Sequence, residues 1–283
     1  MVIVMRISTG IYGLDELLGG GYLKNTVNII LGSTGTGKTV FALQYLLKGL
    51  EDGEKAIYVS FDMDVEDVIQ VATSLGWFEI EDYINNNMLL INKFFAENVT
   101  YLNDNLINFI VENSDGNTRI VIDSFTPLIA SLSYEMRNDV NWFFAKLKEY
   151  GTALISLEEP LNGDLSDPSI VIPLFLGDSV IQLKSLGYGE AFNRTLRIVK
   201  HRRSWHAEGV FPYRILDGIG IYVEGASYVE ESRKKIDLDA VFDELGVSKS
   251  SIPEKILRRL EVLAKNSDEE AERIIIEIVK RYR

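Results

Sequence analysis

Apolar and polar positions follow a regular rhythm along the first 160 residues. Val27–Leu31, Ala56–Phe61, Leu89–Ile91, Ile120–Asp123 and Ala153–Leu157 are short apolar, β-branched runs. Runs of this kind fill strands that are buried on both faces of a parallel sheet. Between them, Thr39–Leu50, Val65–Leu75, Asn103–Asn113 and Asp139–Tyr150 carry apolar residues at helical spacing. Strands and helices taking turns predict an α/β core, with helices covering a central, mostly parallel sheet.

Past residue 178 the rhythm changes. Ser179–Leu183, Thr195–Lys200, Tyr213–Leu216 and Gly220–Val223 read as strands joined by tight turns, an antiparallel extension of the same sheet. Pro160–Pro173 holds three Pro residues among Asn, Gly, Asp and Ser, and predicts a mobile loop at a functional edge. The tail reads as three helices. Asp237 caps the first and Gly246 ends it, Pro253 starts the second, and Ser267 with Glu270 forms a capping box for the third. The expected organisation is a core over residues 1–228 and a small helical appendage over 229–283. The tail's apolar stripes suit either a cap on the core or a docking element for a protein partner.

With 283 residues, 46% of them hydrophobic, the chain is long enough for one α/β domain and a small extension. No apolar run approaches the ~18 residues of a membrane span, and the N-terminus lacks a signal-peptide pattern. Cysteine is absent, which excludes disulfides and thiolate metal sites and suits a cytoplasmic protein. His201 and His206 are the two histidines, too few for a histidine-based metal site. The net charge is −13, and about −12 of it falls before Glu230, because the tail's 12 basic and 13 acidic residues nearly cancel. Binding nucleic acid through overall charge is therefore disfavoured, and any such binding would need a local basic patch.

Chemistry concentrates where the first strong strand ends. Gly32-Ser33-Thr34-Gly35-Thr36-Gly37-Lys38-Thr39 joins an apolar strand to an amphipathic helix. Glycines let a loop wrap a phosphate with its N–H groups pointing inward, and the following helix directs its positive end at the same charge. In that pattern Lys38 reaches the β- and γ-phosphates and Thr39 ligates Mg²⁺, so the expected ligand is Mg–ATP. Ile120-Val121-Ile122-Asp123 is an apolar strand ending in an acid, which places Asp123 to hold the Mg²⁺.

Ahead of the loop stands Ile7-Ser8-Thr9-Gly10-Ile11-Tyr12-Gly13-Leu14-Asp15-Glu16-Leu17-Leu18-Gly19-Gly20-Gly21. This segment resembles the opening of the KaiC-like and RadA-paralogue ATPases of the RecA superfamily, a group abundant in archaea. The resemblance continues through Ala56–Phe61, Gly76-Trp77, Asp123-Ser124 and Lys200–His206, and covers roughly residues 6–223. It implies a RecA-like P-loop NTPase fold, ATP bound between subunits, and a homo-oligomeric ring, typically hexameric, or a filament. It also implies a role for Lys200 and Arg202. They match the family segment whose Lys and Arg reach the γ-phosphate of the adjacent subunit, while Arg203 replaces the family's Gly. Read without the family, the same run is a solvated basic strand end or a nucleic-acid patch, and single-stranded DNA is the corresponding partner.

One position departs from the family. Members that hydrolyse ATP well usually carry Glu, often Glu-Glu, where this chain has Asp62-Met63. Asp62 is one methylene shorter and Met63 cannot accept a proton, so the expected turnover is slow, with Asp64 as the fallback base. Glu158 and Glu159 suit either a γ-phosphate sensor or solvated charges. Trp77, Trp142 and Trp205 read as packing residues, and Phe94-Phe95 as either adenine contacts or core. The functions in view are a slow ATPase governing assembly or a partner, a DNA-binding repair accessory protein, a nucleotide-gated scaffold, and an autophosphorylating protein.

Overall fold

A computed structural model describes residues 5–95, 105–130, 135, 137–160, 163–187, 194–224, 236–264 and 269–282. The chain divides into two compact units, Met1–Gly225 and Ala226–Arg283. In the first, β1 (Arg6–Ile7) pairs with β2 (Tyr22–Leu23) on either side of α1 (Leu14–Leu17). Then follow β3 (Val27–Gly32), α2 (Lys38–Glu51), β4 (Ala56–Ser60), α3 (Val65–Ser74), α4 (Glu79–Asn85) and β5 (Leu89–Lys93). The next elements are α5 (Asn105–Asn113), β6 (Thr118–Asp123), α6 (Thr126–Ile129), α7 (Arg137–Tyr150) and β7 (Gly151–Glu158). The unit closes with α8 (Pro168–Leu176), β8 (Ser179–Ser185), β9 (Arg194–His201), β10 (Phe211–Leu216) and β11 (Gly220–Val223).

The main sheet runs β11-β10-β9-β8-β3-β7-β6-β4-β5. The six strands from β8 to β5 are parallel, and β9, β10 and β11 add an antiparallel edge. The expected α/β architecture is therefore present. One face of the sheet packs Ile29, Ile57, Ile120 and Ile155 against Phe125, Phe143 and Phe144 beneath α5, α7 and α8. Parallel strands carry helices on both sides, which explains their continuous apolar runs. A fully buried arginine also belongs to this unit. Arg119 donates to Glu54 at 2.6 Å and to the carbonyls of Ser8 and Tyr45 at 2.9 and 2.8 Å, with its guanidinium over the Tyr45 ring. It thereby fastens the N-terminal segment to the far end of α2.

Two sequence expectations are corrected. The predicted loop Pro160–Pro173 turns into helix α8 at Pro168. Asp167 caps it by accepting from the Ser169 N–H at 2.8 Å, and Pro168 stands at the first helical position, where its missing N–H costs nothing. Ser179–Leu183 is not part of the antiparallel extension either. It runs parallel to β3, with Ser179 opposite Asn28 and Leu183 opposite Gly32, so the antiparallel part begins at β9. The two corrections have one cause, since a parallel neighbour requires a crossover and α8 supplies it.

The second unit contains α9 (Leu238–Leu245), α10 (Glu254–Ala264) and α11 (Glu269–Lys280). Asp237 accepts from the N–H groups of Asp239 and Ala240, and Gly246 ends α9 at φ 64°. Val241, Phe242, Leu260, Ile275 and Val279 form its core. The predicted capping box at Ser267 and Glu270 needs Ser267, which lies outside the described residues. No helix among the described residues is long and apolar enough to cross a membrane.

Candidate functional site

The parallel strands end on one edge, and sheet register gathers the candidate residues there. Gly32 lies opposite Glu158, and Ser60 lies opposite Asp123. This C-terminal edge is where open α/β sheets bind ligands. Between β3 and α2 the loop 32–39 turns back on itself. Thr36 Oγ1 donates to the Ser33 carbonyl at 2.7 Å, and the Tyr213 hydroxyl of β10 donates to the Thr36 carbonyl. Gly37 caps α2 at φ 92°, and a Cβ there would lie 2.7 Å from Ile215. A Cβ on Gly32 would lie 2.8 Å from the Leu183 carbonyl, so both positions need glycine. Thr34 and Gly35 form the exposed bend of the loop, and no atom within 4 Å would meet a Cβ on Gly35.

Lys38 donates from Nζ to the carbonyls of Gly32 and Ser33, at 2.9 and 3.2 Å. Burial pulls its pKa below the ordinary value, against the opposing pull of Glu158, Asp123 and Asp62. Thr39 Oγ1 donates to Asp123 Oδ2 at 2.8 Å. The Tyr58 hydroxyl donates to the same oxygen at 2.6 Å, and Ser156 Oγ donates to Oδ1. Tyr58 and Ser156 were not picked out from the sequence. Their signal was a hydroxyl inside an otherwise apolar strand, facing a neighbouring strand that ends in an acid. The Asp123–Ser124 peptide is cis.

The candidate acids now separate. Asp62 is exposed at the mouth of the site, just past β4, where Ser60 Oγ closes a turn on the N–H and C=O of Met63. Its carboxyl is pushed above the ordinary pKa, first by desolvation and then by Glu158 and Asp123, while the Ser124 amide and Lys93 oppose the shift. Asp64 is held 2.7 Å from the Lys93 ammonium. Glu159 accepts from Gln182 at 3.1 Å and lies 3.6 Å from Lys184, so it braces β8. Glu158 acts electrostatically on both Lys38 and Asp62. Phe94 packs edge-on against Phe109 in the core, whereas Phe95 is 74% exposed. Trp77 is buried as expected, but Trp142 and Trp205 are 42% and 43% exposed and are not core residues.

Lys200 and Arg202 lie elsewhere. Lys200 pairs with Val180, which pairs with Ile29, three residues before Gly32. It therefore stands about 10 Å back along the sheet and two strands, or about 10 Å, to the side. Its Nζ donates to the carbonyls of Leu174 and Phe175 at 2.6 and 3.1 Å, and Arg202 donates to Phe175 at 2.7 Å. Burial and the Arg202 charge bring the Lys200 pKa down to about 8. Arg203, in place of the family's Gly, sits at φ 61°, the left-handed region that glycine adopts freely.

His201, between these cations, is buried, and among the described residues neither ring nitrogen has a hydrogen-bond partner. Desolvation, with Arg6, His206 and Arg203, holds its pKa to about 4 against the pull of Asp178. The unfolded chain, near 6.5, takes up the proton first. Stability should therefore be intact above that value and fall as pH drops from about 6.5 to about 4, by on the order of 3 kcal/mol in all. Denaturant midpoints at pH 7 and pH 4.5 check this, and His201→Gln should flatten the difference.

A glycine loop between strand and helix, facing an acid at the end of a neighbouring strand, on this sheet order, defines a P-loop NTPase of the RecA superfamily. More narrowly, the chain belongs to the KaiC ATPase family, described as "ATPase: KaiC", which matches residues 7–228. It is 31% identical over 224 residues to the circadian clock protein KaiC2 of Synechocystis, a match spanning 75% of this chain and 39% of that protein. With the circadian clock oscillator protein KaiC of Prochlorococcus marinus the identity is 28% over 250 residues, covering 84% of this chain and 49% of that one. The chain thus spans less than half the length of these two relatives. The crystal structure of a KaiC-like protein from the hyperthermophilic archaeon Pyrococcus horikoshii superimposes with a TM-score of 0.65 at 29% identity, covering 78% of this chain and all of that one.

Proposed function

We propose that this chain binds Mg–ATP at the loop 32–39 and hydrolyses it slowly at interfaces between its own copies. On this reading residues 1–228 form the ATPase domain and 229–283 a helical extension. The loop N–H groups and Lys38 take the phosphates, and Thr39 and Asp123 hold Mg²⁺. Fit to the metal rests on the Thr39–Asp123 contact of 2.8 Å and on the further oxygens of Tyr58 and Ser156 around the same carboxylate. The metal, when bound, neutralises phosphate charge. Asp62 orients and deprotonates the attacking water.

The observation that carries the interface reading is the placement of Lys200 and Arg202. Both lie toward the sheet edge opposite the loop, with their heads fixed on carbonyls of residues 174 and 175. They cannot serve the phosphates of their own chain, but a head-to-tail neighbour can present them to the next site. Closed repetition of that contact gives a ring and open repetition a filament. Cations supplied in this way stabilise charge on the transferring phosphoryl group.

Complementation tests it. Lys38→Ala spoils the loop and spares the cations, and Arg202→Ala does the reverse. Each alone should be nearly inactive, and mixed assemblies should regain a measurable part of wild-type turnover, because some interfaces then join two good halves. Absence of recovery in verified mixed assemblies would rule out action in trans. Negligible turnover of the wild type itself would leave a nucleotide-gated scaffold.

A further inference from the structure

Asp178 stands where β3, α7 and the basic segment meet. Its N–H donates to the Val27 carbonyl at 2.7 Å, and its Oδ2 accepts the Val27 N–H at 3.1 Å, which clamps it to the start of β3. The same oxygen lies 2.6 Å from the Lys148 ammonium of α7. Oδ1 accepts from the Arg203 guanidinium at 3.2 Å, and the Asp178 carbonyl accepts the Arg202 N–H at 2.8 Å. The residue is 6% exposed.

Each bond constrains the two cations. The Asp178 carbonyl fixes the backbone of Arg202. Its carboxylate holds Arg203, whose left-handed backbone a non-glycine residue keeps only when its surroundings over-determine it. Leu174 and Phe175, which carry the heads of Lys200 and Arg202, lie four and three residues upstream of Asp178 on the same short segment. A buried carboxylate is a poor source of stability, so its value here lies in what it holds still.

We propose that Asp178 is a positioning residue that presets Lys200 and Arg202 for the phosphates bound by a neighbouring copy. The inference rests on the trans reading of those cations. Asp178 itself touches no nucleotide, and its own chain's phosphate loop leaves β3 at the other end.

The test is Asp178→Asn, which keeps the size and the backbone carbonyl and removes the charge. A misplacement of about 1 Å costs about 10²-fold in rate, so kcat should fall about tenfold to a hundredfold, while ATP affinity at the subunit's own loop stays at the wild-type value. In mixed assemblies Asp178→Asn should recover turnover with Lys38→Ala and should not recover it with Arg202→Ala. Such a pattern marks a defect confined to the donated cations. A generally weakened subunit would fail with both partners, and that result, or an unchanged kcat, overturns the proposal. Recovery between Lys38→Ala and Arg202→Ala is the control, and its failure sinks the trans reading and this inference with it. Should Asp178→Asn melt early, Asp178→Asn with Lys148→Met removes the buried charge and its partner together and is judged by the same pattern.

Discussion

Replacing Lys38 by Ala is expected to lower ATP affinity by about 10²-fold or more while the protein stays folded. Charge-assisted hydrogen bonds contribute about 1.5–3 kcal/mol each, and on the proposed reading Lys38 makes them to two phosphates. The electrostatics of the site sharpen the effect. Glu158, Asp123 and Asp62 all act on the Lys38 ammonium, so removing it leaves three carboxylates facing an anionic ligand. The fold has little stake in the residue, because its head bonds to two carbonyls of the loop and it packs no core. Calorimetry should show the loss, and melting should shift by no more than about 4–5 °C. Unchanged affinity would dislodge the site from residues 32–39. Asp123→Asn gives the companion pattern, weakening Mg²⁺-dependent binding more than metal-free binding.

What the sequence made legible was what backbone geometry or burial enforces. Glycines at 32 and 37 are required by contacts with Leu183 and Ile215 that lie well over a hundred residues away, yet the demand appears locally as a motif. Asp123 stood out because a charge at the end of an apolar strand is expensive unless it is engaged. Tyr58 and Ser156 did not stand out, since a hydroxyl in a strand has many uses. Their meaning depends on β4, β6 and β7 lying side by side in this register. Helix α8 was hidden by its prolines, although Asp167-Pro168 is a helix start. Once α8 was missed, β8 could only be read as antiparallel. Asp178 was illegible for the same reason, because its partners Val27, Lys148 and Arg203 come from three separate parts of the chain.

On the proposed reading Asp62 sets how fast the site works, and the expected result is that lengthening it speeds turnover. Glu158 apart, the other acids nearby are committed. Asp64 is paired with Lys93, Glu159 is tied to β8, and Asp123 is occupied by three hydroxyls. Asp62 remains exposed at the mouth of the site, and partial desolvation with the neighbouring Glu158 and Asp123 raises its pKa. A raised pKa makes a better proton acceptor, so its weakness is reach rather than basicity. The family resemblance implies Glu at this point in active members, one methylene longer. Removing a positioned base typically costs about 10²–10⁴-fold, and a shortened base should cost less because it remains an acceptor. Asp62→Glu, alone or with Met63→Glu, should therefore raise kcat severalfold or more and leave ATP affinity nearly unchanged, since ground-state phosphate contacts are untouched. Asp62→Asn should abolish most of the remaining turnover, again without loss of binding. Single-turnover measurements on assembled protein separate these effects from product release. If Asp62→Asn hydrolyses ATP as fast as the wild type, the base lies elsewhere. Glu158, already acting on Lys38, would then be the residue to replace next.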